Sequence, residues 1–223
     1  RRIDHAEQLA DAFVALGSVP CVLELLVPLD AELSVVVARG GDGEMAMFAT
    51  THNVHINGIL DSRTAPYADD VIARKAQAIA VHIAERLNYV GVLGVEFFVS
   101  NGSLLVNELA PRPHNSGHYT QNACDVSQFE AQVRALAGLP LTPPRQHSPT
   151  IMVNLLGDLW FQANAVRDLP GPQPQSPPWG AVLGLPGTHL HLYGKLGARP
   201  GRKMGHLNIT GASVAQVRET TAQ

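Results

Sequence analysis

The chain has 223 residues, 45% hydrophobic and 16% charged, with a formal net charge of −3 at pH 7. That composition belongs to a folded chain with a substantial core, in one large or two small domains, and excludes a disordered one. The charge balance and the lack of a basic run speak against a nucleic-acid partner, and no apolar stretch reaches the ~20 residues of a membrane helix.

The N-terminal RRIDHAEQLADAF lacks a signal-peptide core. Only Cys21 and Cys124 are present, which fits a reducing, cytoplasmic setting with packing thiols rather than a disulfide.

In chain order, DHAEQLADAFVAL carries Leu9, Phe13 and Leu16 at helical spacing and stops at Gly17. CVLELLVPL and ELSVVVARG predict two strands, and EMAMFATTHNVHI a third. Asp69 to Asn88 predicts a helix that buries Ile72, Ile79, Ile83 and Leu87 and turns Arg74, Lys75 and Glu85 to water. Two apolar runs around Asn101-Gly102 predict a hairpin. A further helix starts near Asp125, with Gln128 completing a capping box. It buries Val126, Phe129, Val133 and Leu136 and ends at Gly138 ahead of Pro140.

LPLTPPRQHSP, with four prolines, predicts a linker. The expected organisation is a first domain over 1–142, a linker over 143–150 and a small, mostly β domain over 151–223. The last of these holds TIMVNLL, a loop from Pro170 to Pro178, THLHLYGK, and KMGHLNIT leading into a short helix. The fold class is α+β.

Two carboxylates flank the hairpin turn, Glu96 in GVEFFV and Glu108 in LVNELA, twelve residues apart. A carboxylate in so apolar a strand needs a cation or hydrogen-bond donors. Two that converge on one point suit a divalent metal with oxygen ligands such as Mg²⁺. The alternative is that one glutamate lies exposed on an edge while the other pairs with Arg112. Register separates the two. A two-residue turn at Asn101-Gly102 opposes Glu96 to Asn107, whereas a three-residue loop opposes Glu96 to Glu108, so metal binding predicts the three-residue loop. His52 with His55, and His189 with His191, lack the further partners of a zinc site.

NELAPRPHNSGHYTQNACDVSQFEAQVRALAGLPL resembles the signature of the N5-carboxyaminoimidazole ribonucleotide synthetase family of ATP-grasp ligases, as do ARGGDGE, THNVHINGIL and LHLYGKLGARPGRKMGHLNIT. The resemblance implies an ATP-grasp portion, an antiparallel sheet with packed helices, followed by a small C-terminal domain. By resemblance, Glu96 and Glu108 hold Mg²⁺ on the phosphates of ATP, with Asn107 beside them. Glu24, Leu25, Leu26 and Val27 form the hinge strand that reads adenine, Glu32 holds the ribose, and His55 lies near the nucleotide. Arg112, His114, Asn115 and Ser116 line the bicarbonate pocket, while Lys195 and Arg202 grip the 5′-phosphate of aminoimidazole ribonucleotide.

The implied activity is ATP-dependent carboxylation of that ribonucleotide in purine biosynthesis, by a cytoplasmic homodimer acting on small molecules. The same resemblance implies a nucleotide-fold domain and a phosphate-contacting loop ahead of Arg1, and hence little turnover from these 223 residues alone. Two other readings are another ATP-grasp ligase, such as the formate-dependent glycinamide ribonucleotide transformylase, and a non-catalytic nucleotide-binding fragment.

Overall fold

The computed structural model describes residues 1–56, 58–162 and 174–222. Their elements, in chain order, begin with α1 (Leu9–Ala15), β1 (Ala31–Arg39), β2 (Met45–Met47), β3 (Thr51–Ile56), β4 (Ile59–Ala65) and α2 (Asp70–Arg86). The hairpin β5 (Gly91–Ser100) and β6 (Ser103–Ala110) follows, then α3 (Thr120–Ala123), α4 (Gln128–Ala137) and β7 (Thr150–Leu156). The last elements are α5 (Leu159–Gln162), α6 (Trp179–Leu183), β8 (Thr188–Leu192), β9 (Lys203–Thr210) and α7 (Val214–Thr221). The strands form one antiparallel sheet in the order β6-β5-β1-β3-β4-β7-β9-β8, with β2 added to β1. Among the described residues no helix is long and apolar enough to cross a membrane.

The apolar run of β1 is continuous because both of its faces are covered. Side chains alternate along a strand, so Leu33, Val35 and Val37 pack with Leu93, Val95 and Phe97 beneath α2, while Val36 and Ala38 join Phe48, Tyr119, Ala131 and Ala135 on the other side. Arg74, Lys75 and Glu85 are exposed, as expected. The buried face of α2 differs from the expectation. The helix docks on Ala76, Ala80 and Ala84, with Ile72, Ile79 and Ile83 only partly covered at its flanks and Leu87 exposed. Small residues at i, i+4 spacing let the axis approach the sheet, and the branched side chains fill the sides.

The same correction applies to α4. It buries Gln128, Ala131 and Ala135, leaving Phe129, Val133 and Leu136 exposed. Its cap is Ser127, which accepts from the Glu130 amide, while Asp125 instead accepts from the amide of Arg145. Gly138 ends it in the left-handed region, as expected.

Two strand expectations also change. EMAMFATTHNVHI splits into β2 and β3, and β4, not expected, follows at once. CVLELLVPL is no strand: no ladder partner lies beside it among the described residues, and Leu25 and Leu26 stand 86% and 68% exposed. Cys21 is exposed there rather than packed, whereas Cys124 packs against the core. The proline-rich segment after α4 is fastened down. Leu141 is buried, Gln146 bridges to Cys124 and donates to the Ala65 carbonyl at 3.1 Å, and β7 then pairs with β4, so the sheet runs on through it. Of the expected loop from Pro170 to Pro178, positions 170–173 lie outside the described residues.

The hairpin turn holds two residues, Asn101 and Gly102, both at positive φ (49° and 71°), with Ser100 opposite Ser103. This overturns the three-residue loop. Glu96 nevertheless stands opposite Glu108, because a bulge shifts the register: Phe97 opposes Val106, and Asn107 is the extra residue.

Candidate active site

Directly opposed residues of an antiparallel pair share a face, so the bulge brings the two carboxylates side by side. Their surroundings differ. Glu108 is exposed on the edge strand β6, while Glu96 is largely covered and lies 3.4 Å from Arg63 and 3.9 Å from His114. Arg63 is the largest fully buried side chain and the residue that sequence reading missed. Its guanidinium donates to Asn53 Oδ1 (2.6 Å), Asn115 Oδ1 (3.2 Å), Ser34 Oγ (3.5 Å) and Glu96 Oε1 (3.4 Å). Burial lowers its pKa to about 10, the carboxylate of Glu96 opposing that shift, and the side chain stays cationic at neutral pH. A reading of ILDSRTA as a strand would have placed Arg63 in phase with buried Ala65, the one signal available.

The donor set fits Mg²⁺. Two hard carboxylates occupy opposed positions on one face of the hairpin, next to Asn107, and Mg²⁺ takes one or two carboxylates and completes its shell with phosphate and water. A cleft of about 1600 Å³ is lined by Glu24, Leu25, Leu26, Val27, Phe98 and Asn107 among others. Farther along β1 and β3, Glu32 and His55 Nδ1 are 2.9 Å apart, both partly exposed. His52 stacks instead on Tyr67, with ring centres 5.8 Å apart.

Beyond β6 the chain turns into the polar loop. Arg112 is exposed and donates to the Pro113 carbonyl at 3.1 Å. His114 and Ser116 are buried, with Nδ1 and Oγ 2.7 Å apart, and Asn115 is held by Arg63. Gln128 at the start of α4 fixes the loop: its Oε1 accepts from the His114 amide (2.9 Å) and its Nε2 donates to the His114 carbonyl (2.7 Å). Burial, then the charges of Arg63, Arg112 and Lys203, push the His114 pKa down to about 3. The loop thus presents neutral hydrogen-bonding groups under a cationic field, which suits a small oxyanion.

Lys195 and Arg202 lie in the turn between β8 and β9. Each donates to a carbonyl of that turn, Lys195 to Lys203 and Arg202 to Gly197 (2.6 Å). An ammonium has three donors and a guanidinium five, so both keep most of theirs for a ligand. Lys203, half-buried, has its pKa lowered by burial and by Arg63, against the pull of Glu96.

His118 and His206 are also held neutral, each near pKa 3 through burial first. The unfolded chain binds protons on these rings below about pH 6.5, whereas the folded one does not until about pH 3. Stability is therefore complete above pH 6.5 and falls as pH drops toward 3. Urea midpoints at pH 7 and pH 5 check the sign, and a midpoint that rises at pH 5 contradicts it.

The ATP-grasp domain family matches residues 1–129. The phosphoribosylaminoimidazole carboxylase C-terminal domain family matches residues 150–220. The first match covers more than half of the chain, which belongs to the ATP-grasp family.

Within that family the chain is similar to N5-carboxyaminoimidazole ribonucleotide synthases. It is 45% identical to that of Brucella melitensis over 202 residues (90% of this chain, 51% of the relative) and 42% identical to that of Bacillus subtilis over 209 residues (93% and 51%). Among solved structures, N5-carboxyaminoimidazole ribonucleotide synthetase from Thermus thermophilus superposes with a TM-score of 0.85 at 40% identity, over 98% of this chain and 56% of that one. The N5-carboxyaminoimidazole synthase of Aspergillus clavatus, in complex with ADP and 5-aminoimidazole ribonucleotide, gives 0.84 at 31% identity, over 99% and 57%. The chain spans about half the length of the curated relatives it matches.

Proposed function

We propose that this chain carries the metal-, bicarbonate- and ribonucleotide-binding residues of an ATP-dependent carbon–nitrogen ligase. Its reaction is carboxylation of 5-aminoimidazole ribonucleotide to N5-carboxyaminoimidazole ribonucleotide, with release of ADP and phosphate, in purine biosynthesis. The observation that carries this reading is the opposition of Glu96 and Glu108 across the bulge, beside the loop from Arg112 to Ser116.

In this reading Glu96 and Glu108 hold Mg²⁺, with Asn107 beside them. The metal, when bound, neutralises charge on the transferring phosphoryl group. Glu24 to Val27 read adenine through their backbone, which tolerates Leu25 and Leu26, and Glu32 with His55 face the ribose. Arg112, His114, Asn115 and Ser116 hold bicarbonate while an oxygen of it attacks the γ-phosphorus and ADP departs. The exocyclic amine of the ribonucleotide, held through its 5′-phosphate by Lys195 and Arg202, then attacks the carboxyl carbon, and phosphate leaves. Positioning and electrostatics carry catalysis, with no covalent nucleophile from the protein. The reading includes a cytoplasmic homodimer whose other partners are small molecules, and two units that meet at 143–150.

The test is ADP release by the full-length protein in Mg²⁺ and bicarbonate, with and without 5-aminoimidazole ribonucleotide. Release should rise with the ribonucleotide. Lys195→Ala and Arg202→Ala should each raise its KM about tenfold or more, as loss of a charge-assisted phosphate contact does. ADP release indifferent to the ribonucleotide would remove it as the acceptor.

A further inference from the structure

Three imidazoles with no part in the binding roles above stand in a column between the polar loop and the β8–β9 turn. The His118 ring lies 4.5 Å from that of His206, with 19° between the planes. His206 lies 4.5 Å from His191, with 13° between the planes. Stacked faces set a spacing but leave rings free to turn and slide, and here one nitrogen of each ring is also held. His118 Nδ1 meets Gln128 Nε2 at 3.2 Å, His206 Nδ1 meets the Tyr193 hydroxyl at 2.9 Å, and His191 Nε2 meets Asn122 Oδ1 at 2.8 Å. Asn208 Nδ2 ties the sides together, donating to the His118 carbonyl (2.9 Å) and to Asn122 Oδ1 (2.8 Å).

The column reaches one ligand-binding segment from its His118 end and the other from its middle ring. Gln128, at one end, is the residue that clamps the His114 backbone. Tyr193, bonded to the middle ring His206, carries the ammonium of Lys195 5.3 Å above its ring centre. Contacts therefore run unbroken from His114 through Gln128, His118, His206 and Tyr193 to Lys195.

We propose that His118, His206 and His191 are positioning residues which hold the ribonucleotide-phosphate clamp at a fixed distance from the anion loop, so that amine and carboxyl carbon meet. The inference rests on the function proposed above. The residue type follows from the chemistry. Phenylalanine would stack, but it would take the partner of the Tyr193 hydroxyl away and remove one partner each from Gln128 and Asn122, polar groups that are costly to leave unpaired on burial. A cationic ring would repel its neighbours at this spacing. Burial, then the charges of Arg63 and Lys203 and of the other rings, keeps His118 neutral, and burial likewise lowers His191. The column thus spans two anion sites without adding charge to either.

The experiment compares His206→Ala with His206→Phe in the full-length protein, by steady-state kinetics and by amide exchange. His206→Ala should raise KM for 5-aminoimidazole ribonucleotide about tenfold, within the coupling that packed networks carry, while KM for ATP and ribonucleotide-independent ADP release stay unchanged. Exchange should speed up together in residues 114–123 and 193–203. His206→Phe, which keeps the stack and loses the Tyr193 bond, should fall between wild type and alanine. A KM that does not move, or KM values for ATP and ribonucleotide that rise in parallel, overturns the proposal. If wild-type ADP release ignores the ribonucleotide, the functional reading fails, and exchange still decides the column: faster exchange in one segment alone means that it couples nothing.

Discussion

Glu108→Gln is expected to reduce magnesium-dependent ADP release by about a hundredfold or more, the scale on which loss of one preorganised electrostatic contact to the transition state is felt. The substitution keeps size and one acceptor oxygen while removing the charge that a hard cation needs. Glu108 is exposed on the edge strand β6 and has no ion-pair partner among the described residues. The same change should therefore leave the urea midpoint where it was. Glu96→Gln should also lose activity, but with a loss of stability, because Glu96 faces the buried guanidinium of Arg63. Calorimetric titration of Mg²⁺ with ADP, beside the kinetic assay, separates lost metal affinity from misfolding. Full activity in Glu108→Gln would return this glutamate to the role of an exposed edge residue.

Arg63→Met is expected to cost about 3–5 kcal/mol of stability, the range for removing one partner of a buried ion pair. The side chain is 1% exposed, and four groups on three strands and the polar loop accept from it. Methionine fills most of the volume, so the loss measures the stranded acceptors rather than a cavity. Adding Glu96→Gln to Arg63→Met should recover part of the loss, since the uncompensated carboxylate is then gone. Arg63→Lys should stay well below wild type, because one ammonium does not reproduce a planar fork that serves Asn53, Asn115 and Glu96 at once. Urea unfolding of the three variants checks this, and an Arg63→Met midpoint equal to wild type would show that the network contributes little.

Features that depend on neighbours along the chain were legible from the residues alone. The hairpin at Asn101-Gly102, α2 behind its Asp69 cap, the stop of α4 at Gly138 and the strands β7 and β9 all follow from caps, turn residues and periodicity within a few positions. Glu96, Glu108 and the polar loop stood out as charge at the end of apolar runs. Register and close approach came instead from the assembled fold. The turn alone would have set Glu96 against Asn107, and only the bulge, a property of the paired strands, set it against Glu108. The alanine face of α2 became its buried face because the sheet is close. The run from Cys21 to Leu29, apolar enough for a strand, is none here because a strand exists only in its pairing. Arg63 is 33 residues from Glu96 and 52 from Asn115, and His118 is far along the chain from His206. No local pattern encodes such separations; they are set by which strands lie side by side.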